Sequence, residues 1–140
     1  KKMDSMLSVV KEGIAAGQHN AKYMHDITEG GVYGAVWEAS VATKKGILIY
    51  ENQIPFMDIT LEIASILNIN PYRLISSGSM LMIIGEEDLR LLQQELNQYN
   101  IKATAIGEII EDGIYLIKDG VKSEITPPES DELYKALKEK

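Results

Sequence analysis

The sequence contains no cysteine, which excludes a disulfide framework, a thiolate metal site and a cysteine nucleophile. Long hydrophobic runs are also missing. The longest, residues 80–84, is far below the roughly 18 residues of a membrane helix. No signal-peptide core follows Lys1, which stands where an initiator methionine is expected. We therefore expect a cytoplasmic protein with no membrane partner, and the start at Lys1 is compatible with a piece cut from a longer protein.

Basic residues are few: 14 Lys and Arg face 21 Asp and Glu, which gives a net charge of -7. No basic stripe interrupts the acidic background. A nucleic acid would be repelled by this field, so DNA and RNA are excluded as expected partners.

Linkers, low-complexity runs and internal repeats are absent from the 140 residues, of which 45% are hydrophobic. Disorder is therefore not expected, and a chain of this length can bury one sizeable core. The composition predicts a single domain over residues 1–140.

Hydrophobic periodicity predicts alternating helices and strands through the first 100 residues. Asp4 is expected to cap the first helix, Thr28 the second and Asp58 the third. The predicted helices cover residues 4–17, 29–45, 59–69 and 89–100, and the predicted strands cover 21–27, 47–50 and 79–84. The apolar stripes at helical spacing are Met6, Leu7, Val10 and Ile14 in the first helix, Val32, Ala35, Val36 and Ala39 in the second, and Leu89, Leu92, Leu96 and Tyr99 in the fourth.

Residues 101–125 alternate and carry two Asp-Gly pairs, at 112–113 and 119–120, which are typical of tight hairpins. The final stretch, 127–140, is interpreted either as a capped helix or as one with a frayed, charged end. The fold class that follows is α/β (α+β), with a layered, mixed β-sheet covered by helices.

Adjacent glycines in "DITEGG", residues 26–31, are costly at the start of a good helix. One interpretation is an anion site: Thr28 caps the helix, and Gly30 and Gly31 let a phosphate or carboxylate approach free backbone N–H groups. The alternative is packing, in which Gly30 and Gly34, one turn apart, let the helix lie close to a strand.

Two further polar clusters have weaker signals. His25 and Asp26 are neighbours on a strand, so regular geometry points them to opposite faces and a zinc site is not expected; His19 lies at no recognised ligand spacing. His25 is either a hydrogen-bonded strand-end histidine or a site residue. Ser77 and Gly78, in "SSGSM", either contact a ligand or form a turn.

The blocks "MHDITEGGVYGAVWEAS", "GILIYENQIPF", "LNINPYRLISSGSMLMII" and "AIGEI" resemble the C-terminal domain of the aminoimidazole ribonucleotide (AIR) synthase-related superfamily. This superfamily includes AIR synthase, formylglycinamide ribonucleotide amidotransferase, selenophosphate synthetase, thiamine-phosphate kinase and the hydrogenase maturation factor HypE. The resemblance runs from about residue 3 to about residue 125 and is greatest to HypE and its uncharacterised relatives.

The resemblance implies a layered fold with a ferredoxin-like element, and an N-terminal domain, absent here, that binds ATP and magnesium and forms a dimer. No cofactor is expected in this fragment itself. It further implies that Thr28, Gly30 and Gly31 face a cleft and bind a phosphorylated or nucleotide ligand, with Ser77 and Gly78 in a second cleft segment. The candidate catalytic residues carried by the same motif are His25 and Asp26.

The sequence departs from HypE at three places: Glu29 stands where an arginine is frequent, residues 76–79 read Ser-Ser-Gly-Ser rather than Asn-Glu-Gly-Lys, and the chain ends "YKALKEK" without a cysteine. Nitrile-forming activity is therefore not expected. Two hypotheses remain open: the substrate-side half of an ATP-dependent enzyme, inactive alone, or a non-catalytic ligand-binding or assembly module.

Overall fold

The computed structural model describes residues 7–138. These residues pack as two compact units, each built from two stretches of the chain: unit 1 extends to Ile27 and resumes at Ser77–Ala103, and unit 2 comprises Thr28–Ser76 and Thr104 onward. The mixed α/β fold class is confirmed.

Unit 1 contains helices α1 (Val10–Gln18) and α4 (Glu86–Gln98) and the antiparallel strands β1 (Tyr23–Asp26) and β3 (Met80–Ile83). Asp26 pairs with Met80, so the end of β1 lies beside the start of β3. The core forms where Ala15 of α1 meets Leu92 and Leu96 of α4, all about 1% exposed. Leucines four residues apart on α4 lie on one face, which explains their joint burial.

Unit 2 contains a four-stranded sheet with the strand order β4-β2-β5-β6. Its strands are β2 (Gly46–Tyr50), β4 (Gly107–Ile110), β5 (Ile114–Lys118) and β6 (Val121–Glu124). The sheet is mixed, as predicted, because β2 pairs parallel with β5 and antiparallel with β4.

Helix α2 (Gly31–Thr43) packs on β2 and β5, and residues 31–36 are all buried. Its predicted stripe, Val32, Ala35, Val36 and Ala39, is confirmed as core. A short helix α3 (Asp58–Ile66), two 3-10 turns (Glu51–Gln53 and Pro71–Arg73) and a terminal helix α5 (Leu133–Lys138) complete the unit.

One of the two predicted hairpins is wrong. Asp112 and Gly113 connect β4 to β5, but β2 lies between these strands, so they do not pair. Asp119 and Gly120 do form the tight connection between β5 and β6. An Asp-Gly turn sets the local chain reversal, whereas the pairing partner is set by contacts distant in sequence.

Two predicted helix caps are also wrong. The α2 N-cap is Gly30 rather than Thr28, and the α3 N-cap is Met57 rather than Asp58; neither makes a side-chain cap hydrogen bond. Helix α3 ends at Ile66, short of residue 69. The predicted Asp4 cap lies outside the described residues.

The apolar stripe predicted for α1, of which Met6 lies outside the described residues, is not the buried face of this helix. Leu7, Val10 and Ile14 are more than half exposed, and Ala15 and Ala16 make the buried contact instead. In the part of the chain that the structure describes, no helix combines the length and apolarity that crossing a bilayer requires.

Candidate functional site

The glycine loop, defined here as residues 28–31, leads directly into α2. Gly30 and Gly31 both have positive φ, +82° and +61°, a conformation that costs little only for glycine. Gly31 donates its N–H to the Thr28 carbonyl at 3.1 Å. The loop is thus closed by backbone, and the Thr28 side chain does not cap the helix.

Gly31 is required by packing. A Cβ at this position would lie 2.6 Å from the Tyr72 carbonyl oxygen and 2.8 Å from the Leu74 nitrogen. The contact is backbone against backbone, so neither side can yield without moving the chain. Contacts within unit 2 are therefore sufficient to explain why the second residue of the pair is glycine.

Gly30 and Gly34 do not face a strand, contrary to the packing alternative as predicted. A Cβ on Gly30 would lie 3.1 Å from Pro128 Cβ, and one on Gly34 would lie 3.8 Å from the same atom. Both glycines therefore face the C-terminal strap, which we define as residues 126–137.

Asp131 of the strap holds the loop. Its Oδ2 accepts the Gly30 N–H at 2.8 Å, and its Oδ1 accepts the Leu133 N–H at 2.8 Å, at the start of α5. The residue is only 3% exposed. Each oxygen of this buried carboxylate thus accepts a hydrogen bond from a backbone N–H. The terminal helix is therefore of the capped kind.

A second contact joins the strap to the loop. The Tyr134 hydroxyl donates to Glu29 Oε1 at 2.7 Å, and this hydrogen bond raises the pKa of Tyr134. Glu29 is exposed, so its charge remains next to the loop. Two carboxylates beside the loop, Glu29 and Asp131, thus oppose the binding of an anion there.

Ser77 and Gly78 form a turn in unit 1, before β3. Gly78 has a φ of +91°, and the carbonyl of the following Ser79 accepts the Ile27 N–H at 2.8 Å. The turn therefore lies beside the end of β1, which carries His25 and Asp26. The structure brings these four predicted residues together within one unit.

His25 and Asp26 are closer than alternate strand positions suggest. His25 Nδ1 lies 3.7 Å from Asp26 Oδ1 and also contacts the Asp26 carbonyl. His25 stacks on Tyr23 at 6.4 Å between ring centroids. The prediction of opposite faces is wrong for the side-chain ends, because the imidazole turns toward its neighbour.

His19 is paired away from these residues, with Nε2 2.7 Å from Glu95 Oε2. Among residues 7–138, no three His, Asp or Glu side chains converge as a metal site would need.

A buried carboxylate that the sequence did not single out lies in unit 2. Glu51 is 8% exposed, accepts the Tyr33 hydroxyl at 2.6 Å and pairs with Lys118 Nζ at 2.8 Å. Burial and the bond to Glu51 raise the pKa of Tyr33, and the same carboxylate raises the pKa of Lys118. Tyr72 stacks on Tyr33 at 5.3 Å. All partners are satisfied, which indicates a structural brace.

A polar cavity of about 570 Å³ lies between residues 68–73 and the strap. Glu132, 4% exposed, accepts the Asn70 N–H at 3.2 Å and pairs with Lys135. Arg73 Nη2 donates to Thr126 Oγ1 at 3.0 Å. The strap is thus attached by polar contacts along its length.

Asp131, Glu132 and Glu51 are the residues that sequence reasoning missed. Their partners are 101, 62 and 18 positions away, so no local pattern shows them. One signal was present: Asp131 is two residues before Leu133, the spacing at which aspartate caps a backbone turn.

The sequence profile of the family described as "AIR synthase related protein, C-terminal domain" matches residues 1–119. A Methanocaldococcus jannaschii protein named for hydrogenase expression/formation is 32% identical over 97 residues, 69% of this chain and 28% of that protein. The phosphoribosylformylglycinamidine synthase subunit PurL of Aquifex aeolicus is 21% identical over 118 residues, 82% of this chain and 14% of PurL.

Among solved structures, Escherichia coli HypE, a hydrogenase maturation protein, superposes with a TM-score of 0.77 at 23% identity, covering 88% of this chain and 41% of HypE. HypE in complex with ATP gives a TM-score of 0.72 at 17% identity, covering 79% of this chain and 37% of that one. At these identities the likeness concerns the fold. The chain spans less than half the length of each of these relatives.

Proposed function

Because the chain belongs to the AIR synthase-related C-terminal domain family, we propose that it is the ligand-side domain of an ATP-dependent enzyme and is inactive alone. The enzyme would be completed by an N-terminal domain that binds ATP and magnesium. Two copies of the resulting two-domain chain would form a homodimer. The observation that carries the proposal is the difference in length between this chain and its relative. The aligned region makes up 69% of this chain but only 28% of the Methanocaldococcus protein, most of which therefore lies outside the matching domain.

The similarity to a HypE solved with ATP supports the ATP-dependent part of the proposal. In the proposed enzyme, Thr28, Gly30 and Gly31 line the cleft toward a phosphorylated or nucleotide ligand, and Ser77 and Gly78 supply a second segment. Gly30 provides the donor for this role. Its N–H points at a carboxylate oxygen in this structure, so the position already accommodates an anionic oxygen.

His25 and Asp26 are the proposed catalytic residues. Their side-chain ends are 3.7 Å apart and partly exposed, so a ligand can reach the imidazole while the carboxylate lies beside it. Both lie beside the Ser77–Gly78 turn.

The isolated chain is expected to release no phosphate from MgATP above a heat-treated control. The chain has no Walker pattern, and its described residues contain no cluster of carboxylates for magnesium. A malachite-green assay checks this. Magnesium-dependent release that disappears in Asp26→Asn would contradict the proposal, because the fragment would then be a complete enzyme.

An exposed apolar surface on unit 2 favours the second candidate, a non-catalytic assembly module. On and beside α3, Met57, Ile59, Ile63 and Ile66 are about half exposed or more, whereas Ala64 is buried. Side chains of this kind grouped on one short helix are typical of a surface that another protein covers.

We expect the isolated chain to self-associate through this α3 surface. Ile66, 74% exposed, is a suitable probe, and Val121, 67% exposed on β6, is a matched control. Ile66→Asp should shift the mass measured by light scattering to that of the monomer, whereas Val121→Asp should leave the association unchanged. A wild-type chain that remains monomeric at high concentration would contradict this expectation.

A further inference from the structure

The C-terminal strap occupies the glycine loop with a side chain of ligand-like chemistry. The Asp131 carboxylate is 3% exposed and bonded to the Gly30 N–H at 2.8 Å. A carboxylate oxygen at this distance from a backbone amide resembles the terminal oxygen of a bound carboxylate or phosphate. The loop is therefore filled from within unit 2.

The strap is held mainly by polar contacts. Besides Asp131, Tyr134 bonds to Glu29 at 2.7 Å, and the Glu132 N–H donates to the Arg73 carbonyl at 3.3 Å. Its larger apolar side chains, Leu133 and Leu137, are 39% and 62% exposed. A segment that buries little apolar surface can detach at low free-energy cost once its hydrogen bonds are exchanged for others.

The alternative occupant fits the same donor. Gly31 N–H is used by the Thr28 carbonyl at 3.1 Å, so Gly30 N–H is the loop donor that points at the strap. An incoming anion and Asp131 must compete for this single amide. Glu29, which belongs to the loop and bonds to Tyr134, opposes an anion whether the strap is docked or released, so the latch rests on the exchange at Gly30 alone.

We propose that the strap is a latch: Asp131 closes the glycine loop in the resting domain, and a ligand carboxylate or phosphate binds Gly30 only when the strap is released. The latch deepens the proposed function, since the competing anion is the ligand proposed for this loop. The apparent affinity of the loop for anions is then its intrinsic affinity multiplied by the fraction of molecules in which the strap is released.

The first test is amide hydrogen exchange followed by NMR. Asp131→Asn keeps the side-chain size but replaces a charged acceptor with a neutral one. We expect exchange at the Gly30 and Leu133 amides to rise about tenfold, the factor that corresponds to losing part of a charge-assisted bond. Glu129→Gln, an exposed strap residue with the same charge change, should leave both amides unchanged. Unchanged exchange in Asp131→Asn would overturn the latch.

The second test titrates inorganic phosphate into the same three proteins while following the Gly30 amide shift. Asp131→Asn is expected to bind phosphate about tenfold more tightly than the wild type, with Glu129→Gln behaving as the wild type. Equal binding by wild type and Asp131→Asn would overturn the latch and leave the proposed ligand role of the loop intact. No phosphate-dependent shift in any of the three would overturn both.

Should Asp131→Asn fail to fold, Tyr134→Phe replaces it, because it removes only the exposed contact to Glu29. A smaller rise in exchange at Gly30 and in phosphate affinity is expected in this variant. The absence of either change in a folded Tyr134→Phe protein would count against the latch.

Discussion

Replacing Gly31 with valine should lower the free energy of unfolding by about 2–5 kcal/mol, combining the cost of a β-branched residue at positive φ with that of an overpacked contact. The reason is local. The new Cβ would meet the Tyr72 carbonyl at 2.6 Å and the Leu74 backbone at 2.7 Å, and φ at this position is +61°. Such a loss is a large share of the stability of an ordinary domain.

Gly120→Val is the matched control, since Gly120 also has positive φ, +79°, but a Cβ added there would have no neighbouring atom within 4 Å. Gly120→Val should lower the free energy of unfolding only by the cost of a β-branched residue at positive φ, about 1–2 kcal/mol. Urea unfolding followed by the fluorescence of Trp37, the single tryptophan, which lies in α2, measures both variants. Equal destabilisation by the two substitutions would show that packing at Gly31 does not matter.

The second large effect is expected in unit 1. Leu92→Ala removes a side chain that is 1% exposed and packs with Ala15 and Leu96. The cavity and the lost burial should cost about 2–5 kcal/mol. Leu91→Ala, at a neighbouring position that is 46% exposed, should change stability by no more than about 0.5 kcal/mol.

Urea unfolding by circular dichroism, with hydrogen exchange at the α4 amides, distinguishes the two leucine variants. Comparable losses from Leu91→Ala and Leu92→Ala would contradict the assignment of Leu92 to the core. Of the predicted face, Leu89, Leu92, Leu96 and Tyr99, the structure buries Leu92 and Leu96, whereas Tyr99, just beyond the end of α4, is 48% exposed.

Sequence patterns predicted the elements well because helix and strand periodicity is a local property. The core stripe of α2 and the buried strand β2 followed directly from residue spacing. The strand order did not follow from residue spacing, because the position of β2 between β4 and β5 depends on contacts between residues some 60 positions apart. Local turn chemistry at Asp112 and Gly113 carries no information about that partner.

The glycine loop shows the same limit at the level of the site. Its sequence predicted a bare backbone, and the positive φ of both glycines confirms that need. It did not predict the neighbours, which are Tyr72 and Leu74 for Gly31 and the strap for Gly30. A glycine pair indicates that something approaches closely, but the approaching group can be a ligand or the rest of the chain.

The capping errors have a common physical origin. Thr28 and Asp58 are good N-cap residue types, yet α2 begins at a left-handed Gly30 and α3 begins after Met57. For α2 the first free N–H is satisfied by Asp131, 101 residues away, instead of by Thr28. A distant carboxylate thus replaces the local hydroxyl as the partner of the helix start.

The central claim is that this chain serves as the ligand-side domain of an ATP-dependent enzyme whose nucleotide site lies in another domain. Isothermal titration of MgATP into the native gene product and into the 140-residue chain tests it most directly. We predict saturable, magnesium-dependent binding by a native product larger than 15.6 kDa and no binding by the chain alone. Binding by the isolated chain, or none by the native product, would contradict it.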